Sequence, residues 1–146
     1  MMKTTADVRR GQLQVTARDL KMLAALETWG VLGIGQMVGL GLAGSLAEGE
    51  LVERFFNKME RDDYKLGIVN RIHALESGGY LQGHSFLRQP KAFTLAARGI
   101  EELSAAEQER QPGSRYEVNE TYIRHDLLQS AVALVLTEIL RQPTRR

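Results

Sequence analysis

Apolar positions recur at helical spacing over most of this chain, and they change to a strand-like pattern only near its middle. The first regular stretch reads T-A-R-D, with Thr16 three residues before Asp19. This is a capping-box arrangement, and its acidic residue also favours the positive end of the helix dipole. An apolar stripe continues to Trp29, and Gly30 is a typical helix stop. The pattern predicts a helix from Thr16 to Trp29.

The next stretch is rich in glycine. Val31 and Leu32 predict a minimal strand, and residues 33–44 predict a short helix. The glycines lack the register of a nucleotide-binding loop, so we expect them to permit close contacts between helices. Residues 45–60 then place apolar side chains on one side of an amphipathic helix. We interpret that helix as an insertion that packs on the core or shapes a dimer.

The spacing changes within residues 64–95. An aspartate of the run 61–63 is expected to cap a helix whose buried stripe includes Ile68 and Ile72, and the glycines at 78–79 end it. Tyr80 begins a strand. Residues 82–90 predict a short polar loop with Gly83 at the turn and Pro90 at the entrance of the next strand. Residues 91–95 predict the returning strand and 96–110 a further helix.

The C-terminal part predicts one long helix after a linker. Pro112 and Gly113 mark residues 111–118 as the linker, and the helix is expected over 119–140. Its apolar arc is wider than one small domain would cover, which predicts a partner helix, most simply the same helix of a second copy. The expected dimer interface is Leu127, Leu128, Ala131, Val132, Val135 and Ile139.

Composition is that of an ordinary globular protein of one domain, with 146 residues, 43% of them hydrophobic and 25% charged. The absence of cysteine excludes disulfides and thiolate chemistry. No secretory or membrane-spanning pattern is present, so we expect a cytoplasmic, nucleoid-associated protein. Net charge is only +1, but residues 61–91 carry five basic and three acidic groups, a local balance of +2.

Catalytic and metal chemistry have little basis in the sequence. His73, His84 and His125 stand apart and lack metal-binding spacing, and no serine has an evident base beside it. His125-Asp126 opens an amphipathic helix, where capping or a dimer contact is the better interpretation. We therefore expect no enzyme, no cofactor and no metal.

Two motifs carry a resemblance to a known class of proteins. The run L-E-S-G-G-Y-L at 75–81 and the run L-A-A-R-G-I-E-E-L at 95–103 resemble the recognition-helix end and the post-wing helix of winged helix-turn-helix DNA-binding proteins. Ala96 departs from that pattern, in which Thr or Ser is common. The runs V-T-A-R-D-L-K-M-L-A-A-L and I-R-H-D-L-L-Q-S-A-V look more specifically like the replication-relaxation family of plasmid and mobile-element proteins. PadR-like and MarR-like regulators are more distantly similar.

The resemblance implies a mainly α fold with a small β-hairpin wing and a long C-terminal dimerisation helix. It also implies a recognition helix in the major groove and a wing on the minor groove or backbone. For each side chain a solvated or structural role stays open as the alternative. The implied DNA-binding residues are Arg61, Tyr64, Lys65, Asn70, Arg71, His73, His84, Ser85, Arg88 and Lys91.

The predicted organisation is a flexible basic arm over 1–15, a winged-helix domain over 16–110, the linker over 111–118, and the dimerisation helix with a basic tail over 119–146. The expected function is sequence-specific binding of double-stranded DNA by a homodimer that regulates bacterial or mobile-element genes. Two alternatives stay open: an accessory role in plasmid replication or mobilisation, and a winged-helix module that binds another protein. The sequence identifies no small-molecule effector.

Overall fold

The computed structural model describes residues 13–86, 89–105 and 121–140, except for the side chain of Lys65. Over these residues the fold is mainly α-helical with one small antiparallel sheet, as predicted. The helices are α1 (Ala17–Trp29), α2 (Ile34–Gly41), α3 (Glu48–Phe55), α4 (Gly67–Ser77), α5 (Ala97–Ala105) and α6 (Ile123–Leu134); the strands are β1 (Leu32–Gly33), β2 (Leu81–Phe86) and β3 (Gln89–Leu95).

Helix α1 begins and ends where its sequence predicts. The Asp19 amide donates to Thr16 Oγ1 at 3.1 Å, and the Thr16 amide donates to Asp19 Oδ2 at 2.9 Å. Gly30 ends the helix with a φ of 87°, a conformation that only glycine adopts without strain. Before the helix, Leu13 and Val15 pack against the core. The end of the predicted arm therefore packs on the fold, and residues 1–12 lie outside the described part of the chain.

The predicted glycine-rich helix is α2, and close packing explains its glycines. A Cβ on Gly35 would meet the backbone of Arg54 and Asn57, and one on Gly39 would meet the Phe55 ring. These approaches let α2 and α3 lie against each other along their length. Leu51 and Phe55 of α3 are buried, so the predicted insertion is an amphipathic helix that belongs to the core.

The start of α4 differs from the prediction. Residues Arg61–Lys65 form a 3-10 turn, and the α-helix begins only at Gly67, with no side chain capping it. Asp63 caps the 3-10 turn instead, because its Oδ2 accepts from the Glu60 amide at 2.7 Å. The end of α4 is as predicted. Tyr80 N donates to the Leu75 carbonyl and Gly79 has a φ of 87°, the hydrogen bond and left-handed residue of a Schellman motif.

The hairpin is longer than predicted. Gly83 does not lie at the turn; it lies within β2 and pairs with Phe93, while His84 pairs with Ala92. Polar side chains made this stretch look like a loop, although one face of an edge strand can be polar throughout. Residues 87 and 88 connect the strands and lie outside the described chain. The sheet order is β1-β3-β2, with Leu32 of β1 opposite Phe93.

Helix α6 packs on the rest of the fold instead of standing apart from it. Its residues Leu127, Ala131 and Leu134 are buried, and a turn of π-helix at Val135–Leu140 continues it. The Gln36 amide nitrogen of α2 donates to the Leu127 carbonyl and to the Phe55 carbonyl, both at 2.9 Å. One buried side chain therefore joins α2, α3 and α6.

This packing places part of the predicted dimer interface in the core of its own chain. Leu127 and Ala131 face their own core and cannot face a partner, and Val135 and Ile139 are also packed partly against it. The helix begins at Ile123 rather than 119, and the linker at 111–118 lies outside the described residues. None of the described helices has the length and apolar character needed to cross a lipid bilayer.

Candidate nucleic-acid interface

The solvent-facing side of α4 is polar and is not covered by the described chain. Asn70 and His73 are exposed on it, while Ile68, Val69, Ile72 and Leu75 on the opposite side are buried. Tyr64 and Leu66 precede the helix and are 51% and 37% exposed. Because the 3-10 turn comes first, Tyr64 and Lys65 lie before α4 and not on it, contrary to the prediction. The side chain of Lys65 is not described.

A buried arginine holds that 3-10 turn in place. Arg54 of α3 lies 2.9 Å from Asp63 through Nη2, and its Nη1 donates to the Lys58 carbonyl at 2.8 Å. Only 8% of the Arg54 side chain is exposed. Sequence analysis missed this residue. The sequence contains an indication of this ion pair: an arginine lies between the buried positions Leu51 and Phe55, and two aspartates follow it eight and nine residues later.

Arg71 is held by an ion pair instead of projecting from α4. Its Nε donates to both oxygens of Asp19 at 3.1 Å, and its Nη2 donates to Asp19 Oδ2 and to the Gln14 carbonyl. The Asp19 side chain is fully buried, and the Arg71 side chain is 23% exposed. The guanidinium group of Arg71, which could otherwise bind a guanine base, therefore donates its hydrogen bonds to Asp19 and Gln14 of the same chain. This geometry favours a structural role for Arg71 over the predicted DNA contact.

The protonation of this pair follows from its surroundings. Burial raises the pKa of Asp19, but hydrogen bonds from Arg71 and Thr16 and the charge of Arg71 outweigh burial, so the pKa lies below its ordinary value. The hydrogen bond with Asp19 raises the pKa of Arg71. Both groups are charged near neutral pH, and α1 and α4 are joined by a charged pair.

The hairpin is attached to α4 by a second ion pair. Lys91 Nζ of β3 lies 2.9 Å from Glu76 Oε1 of α4 and 5.5 Å from the centroid of the Phe93 ring. About a third of the Lys91 side chain is exposed, so its charge also faces solvent. Ser85 is exposed on β2, and Arg88 lies outside the described residues.

His84 has a partner within the sheet. Its Nε2 lies 3.0 Å from Thr94 Oγ1, and the ring is only partly exposed. Burial lowers the pKa of His84, and the nearby carboxylate of Glu76 opposes that effect without cancelling it. The neutral imidazole is therefore favoured near pH 7. The geometry supports a role for His84 in holding the two strands together.

The structure brings some of the predicted residues together and separates others. Tyr64, Asn70 and His73 share the region of α4 and the turn before it, with Arg61 exposed at the start of that turn. Lys91 and Ser85 belong to the adjoining hairpin. Among the residues that the structure describes, no group of three His, Asp or Glu side chains could hold a metal ion.

A second surface lies on α6. Leu128, Val132 and Leu136 are 52%, 46% and 46% exposed and follow one another at four-residue steps. They line an open groove of about 730 Å³, whose other wall includes Thr28 and Trp29 at the end of α1. This apolar row is additional to the residues that α6 buries in its own core.

Comparisons of the chain with protein-family models, with curated protein sequences and with solved structures found no match.

Proposed function

We propose that the chain is a winged helix-turn-helix protein that binds double-stranded DNA sequence-specifically as a homodimer and regulates bacterial or mobile-element genes. In this proposal α1, α2 and α4 form the helical unit, with α4 as the recognition helix and β2 and β3 as the wing. Helix α3 is an insertion between the two helices of the helix-turn-helix, and its role is to position the turn before α4.

The observation that carries the proposal is the uncovered polar side of α4 next to a hairpin. An α-helix with its side chains is about 10–12 Å across, which matches the roughly 12 Å width of the B-DNA major groove. The exposed side presents Asn70 and His73, whose side chains carry hydrogen-bonding groups that can meet base edges. Ion pairs at Arg54, Arg71 and Lys91 fix α4, the turn before it and the hairpin relative to one another.

The proposed contacts follow from donor and acceptor geometry. The Asn70 amide can pair with adenine through two hydrogen bonds, since it offers one donor and one acceptor in the spacing of N7 and N6. Arg61, Lys65 and Lys91 supply phosphate contacts, and Ser85 can donate to a phosphate oxygen. Tyr64 and Leu66 provide apolar contact area at the groove edge. Arg71 is left out of this set because Asp19 holds its guanidinium.

The small number of cations requires two copies for a useful affinity. Among the side chains that the structure describes, few basic groups lie near α4, so one copy makes few phosphate contacts and binds weakly. The apolar row on α6 provides the surface for pairing. Two copies related by a two-fold axis would meet half-sites about one helical turn apart, roughly 34–36 Å on the DNA.

A salt titration with a random duplex tests DNA binding. Several phosphate contacts give a steep negative slope of log affinity against log salt concentration. Selection from a pool of random sequences should then recover a palindromic site. If no duplex binds even at low salt, the proposal is wrong.

Two substitutions should distinguish a residue that contacts bases from a residue that contacts phosphates. Asn70→Ala should lower affinity for the selected site by about 1–3 kcal/mol and leave affinity for random duplex unchanged. Arg61→Ala should lower affinity for both and reduce the salt slope by about one. Fluorescence anisotropy on the two duplexes measures both variants, and each duplex serves as the control for the other. Equal losses on both duplexes for Asn70→Ala would remove it from the base-reading set.

A protein partner is the alternative that a specific observation favours. Tyr64 and Leu66 expose apolar area beside α4, which is also how a protein-binding surface appears. In that case the salt titration shows no binding to duplex, while the α6 dimer persists. An accessory role in plasmid replication or mobilisation would use the same DNA contact, and the position of the selected site relative to an origin or a promoter would separate it from gene regulation.

A further inference from the structure

The hairpin of β2 and β3 is buried on both of its faces where it meets the helices. Phe93 of β3 is fully buried in the main core, in one cluster with Ile72 and Leu75 of α4. The neighbouring Ala92 points to the opposite face, since side chains alternate along a strand, and it is also fully buried. A part of the chain other than α4 therefore covers the second face of the hairpin.

The start of α6 covers that second face. Ala92 belongs to a separate cluster of buried side chains with Val31, which precedes β1, and with Ile123 and Leu127 of α6. Phe86, the last residue of β2, packs against this second cluster. The hairpin therefore lies between α4 and the first turns of α6.

An irregularity in the strand pairing lies just before Phe86. His84 pairs with Ala92 and Phe86 pairs with Gln89, so three steps along β3 lie opposite two steps along β2. An extra residue of this kind increases the local twist and changes the direction in which the strands continue. The end of the hairpin therefore has a bend of its own, and the packing of Phe86 on the second cluster holds that bent end.

Buried hydrogen bonds fix α6 behind the second cluster. Ser130 Oγ donates to the Val31 carbonyl at 3.0 Å, and the Gln36 amide nitrogen donates to the Leu127 carbonyl at 2.9 Å. Both Ser130 and Gln36 are buried, where the loss of a hydrogen-bond partner is costly. The first turns of α6 are therefore a fixed support for the hairpin.

From these contacts we infer that α6 positions the hairpin for DNA, with Phe86 and Ile123 as the positioning residues. Neither of these two side chains touches DNA. Phe86 holds the end of β2 next to the exposed Ser85, and Ile123 belongs to the surface on which Phe86 packs. The inference rests on the proposed DNA binding and adds a second support for the hairpin, besides the ion pair between Lys91 and Glu76.

Amide hydrogen exchange tests this support without DNA. Phe86→Ala removes an aromatic ring that is only partly buried, so the chain should fold. Exchange should become faster in β2 and β3 and stay unchanged in α4, whose contacts with the main core remain. Phe86→Leu keeps an apolar contact with the second cluster and should exchange like the parent chain. Tyr122→Ala is the matched control, because it removes an aromatic ring that precedes Ile123 in sequence and is 59% exposed.

The salt dependence of DNA affinity tests the positioning. Phe86→Ala removes no charge, so a purely structural role leaves the slope of log affinity against log salt concentration unchanged. If the hairpin loses its position, Lys91 no longer meets a phosphate, and the slope for a random duplex should fall by about one. The Phe86→Leu and Tyr122→Ala chains should keep the parent slope. The ratio of affinities for selected and random duplexes should also stay unchanged in Phe86→Ala, because α4 keeps its place.

The remaining outcomes contradict the inference. Unchanged exchange in the hairpin of Phe86→Ala would show that α6 does not hold it, and faster exchange throughout the chain would make Phe86 a support of the whole fold. Faster exchange in the hairpin with an unchanged salt slope would show that the support does not position DNA contacts. A parent chain that binds no duplex would refute the proposed DNA binding, and exchange alone would then decide whether α6 holds the hairpin.

Discussion

Asp19 performs two tasks with one carboxylate. It closes the capping box of α1 with Thr16 and it neutralises Arg71 of α4. The first task is local and follows from the spacing T-A-R-D, so the sequence predicts it. The second joins positions 52 residues apart, and no local pattern indicates it. A basic residue on the exposed side of a predicted recognition helix therefore looked like a DNA contact.

Arg71→Ala should destabilise the fold, because it leaves the buried Asp19 carboxylate without its cation. We expect a loss on the order of 3 kcal/mol in the free energy of unfolding, measured by urea denaturation. Arg18→Ala is the matched control, since it removes an exposed arginine next to Asp19 in sequence. A stable Arg71→Ala chain with weakened DNA binding would restore the original prediction that Arg71 contacts DNA.

Stability should also fall as the pH drops below about 6.5, the ordinary pKa of histidine. Burial lowers the pKa of His84 in the folded chain, so the unfolded chain binds the proton first as pH falls. The neutral ring then stabilises the fold above the unfolded pKa, and that contribution is lost as pH falls through the lower folded value. Urea denaturation at pH 7.5 and at pH 5.5 should show a smaller loss for His84→Gln than for the parent chain. An unchanged loss would assign the pH dependence to other groups.

At the scale of elements, agreement with prediction depends on whether the determining contacts are local. The ends of α1 and α4 were predicted because capping residues and glycines act within a few positions. The start of α4 was not predicted correctly. Asp63 forms an ion pair with Arg54 of another helix and caps the 3-10 turn, so it does not cap α4. The start of β2 was predicted, but residues 82–86 were predicted as a loop because most of their side chains are polar, and only pairing with β3 makes them part of the strand.

Helix α6 combines a feature that local sequence predicts with one that depends on contacts with distant parts of the chain. Periodicity predicted a wide apolar arc, and the structure divides that arc into a core side and an exposed row. The two sides cannot be told apart from the sequence, because both consist of apolar residues at helical spacing. Burial by α2, α3 and β1 decides which side is which.

Neighbouring substitutions on α6 should therefore have opposite effects. Ala131→Asp places a charge in the core, where an unpaired carboxylate costs several kcal/mol, and the chain should not fold. Val132→Asp places the same charge on the exposed row, so the chain should stay folded but become monomeric. Circular dichroism and sedimentation measure the two outcomes, and each variant is the control for the other. If both variants fold as dimers, α6 is not the interface.

At the scale of the whole molecule, α6 is not separate from the part of the fold that contains α2 and β1. The Gln36 side chain donates to the Leu127 carbonyl, and Ser130 Oγ donates to the Val31 carbonyl at 3.0 Å. Both Gln36 and Ser130 are buried. Helix α6 thus completes the core beside α2, α3 and β1.

Removal of residues 119–146 should abolish cooperative unfolding. It leaves the Gln36 amide without one of its acceptors and exposes the apolar surface that Leu127, Ala131 and Leu134 cover. Thermal denaturation of the truncated chain should show no sharp transition. Removal of residues 141–146 alone is the control and should leave the transition unchanged. A sharp transition in the longer truncation would show that the two parts fold independently.

The Gln36 contact also has a consequence for the order of events during synthesis. A ribosome releases α1 to α5 before it releases α6, so the amide of Gln36 has only the Phe55 carbonyl as an acceptor until Leu127, 91 positions downstream, is released. Until α6 is released, the apolar surface that it covers in the folded chain stays exposed to water and to chaperones. A nascent chain therefore cannot complete the packing around Gln36 before α6 is released. Pausing the ribosome before α6 should leave a protease-sensitive intermediate, and resumed translation should close it.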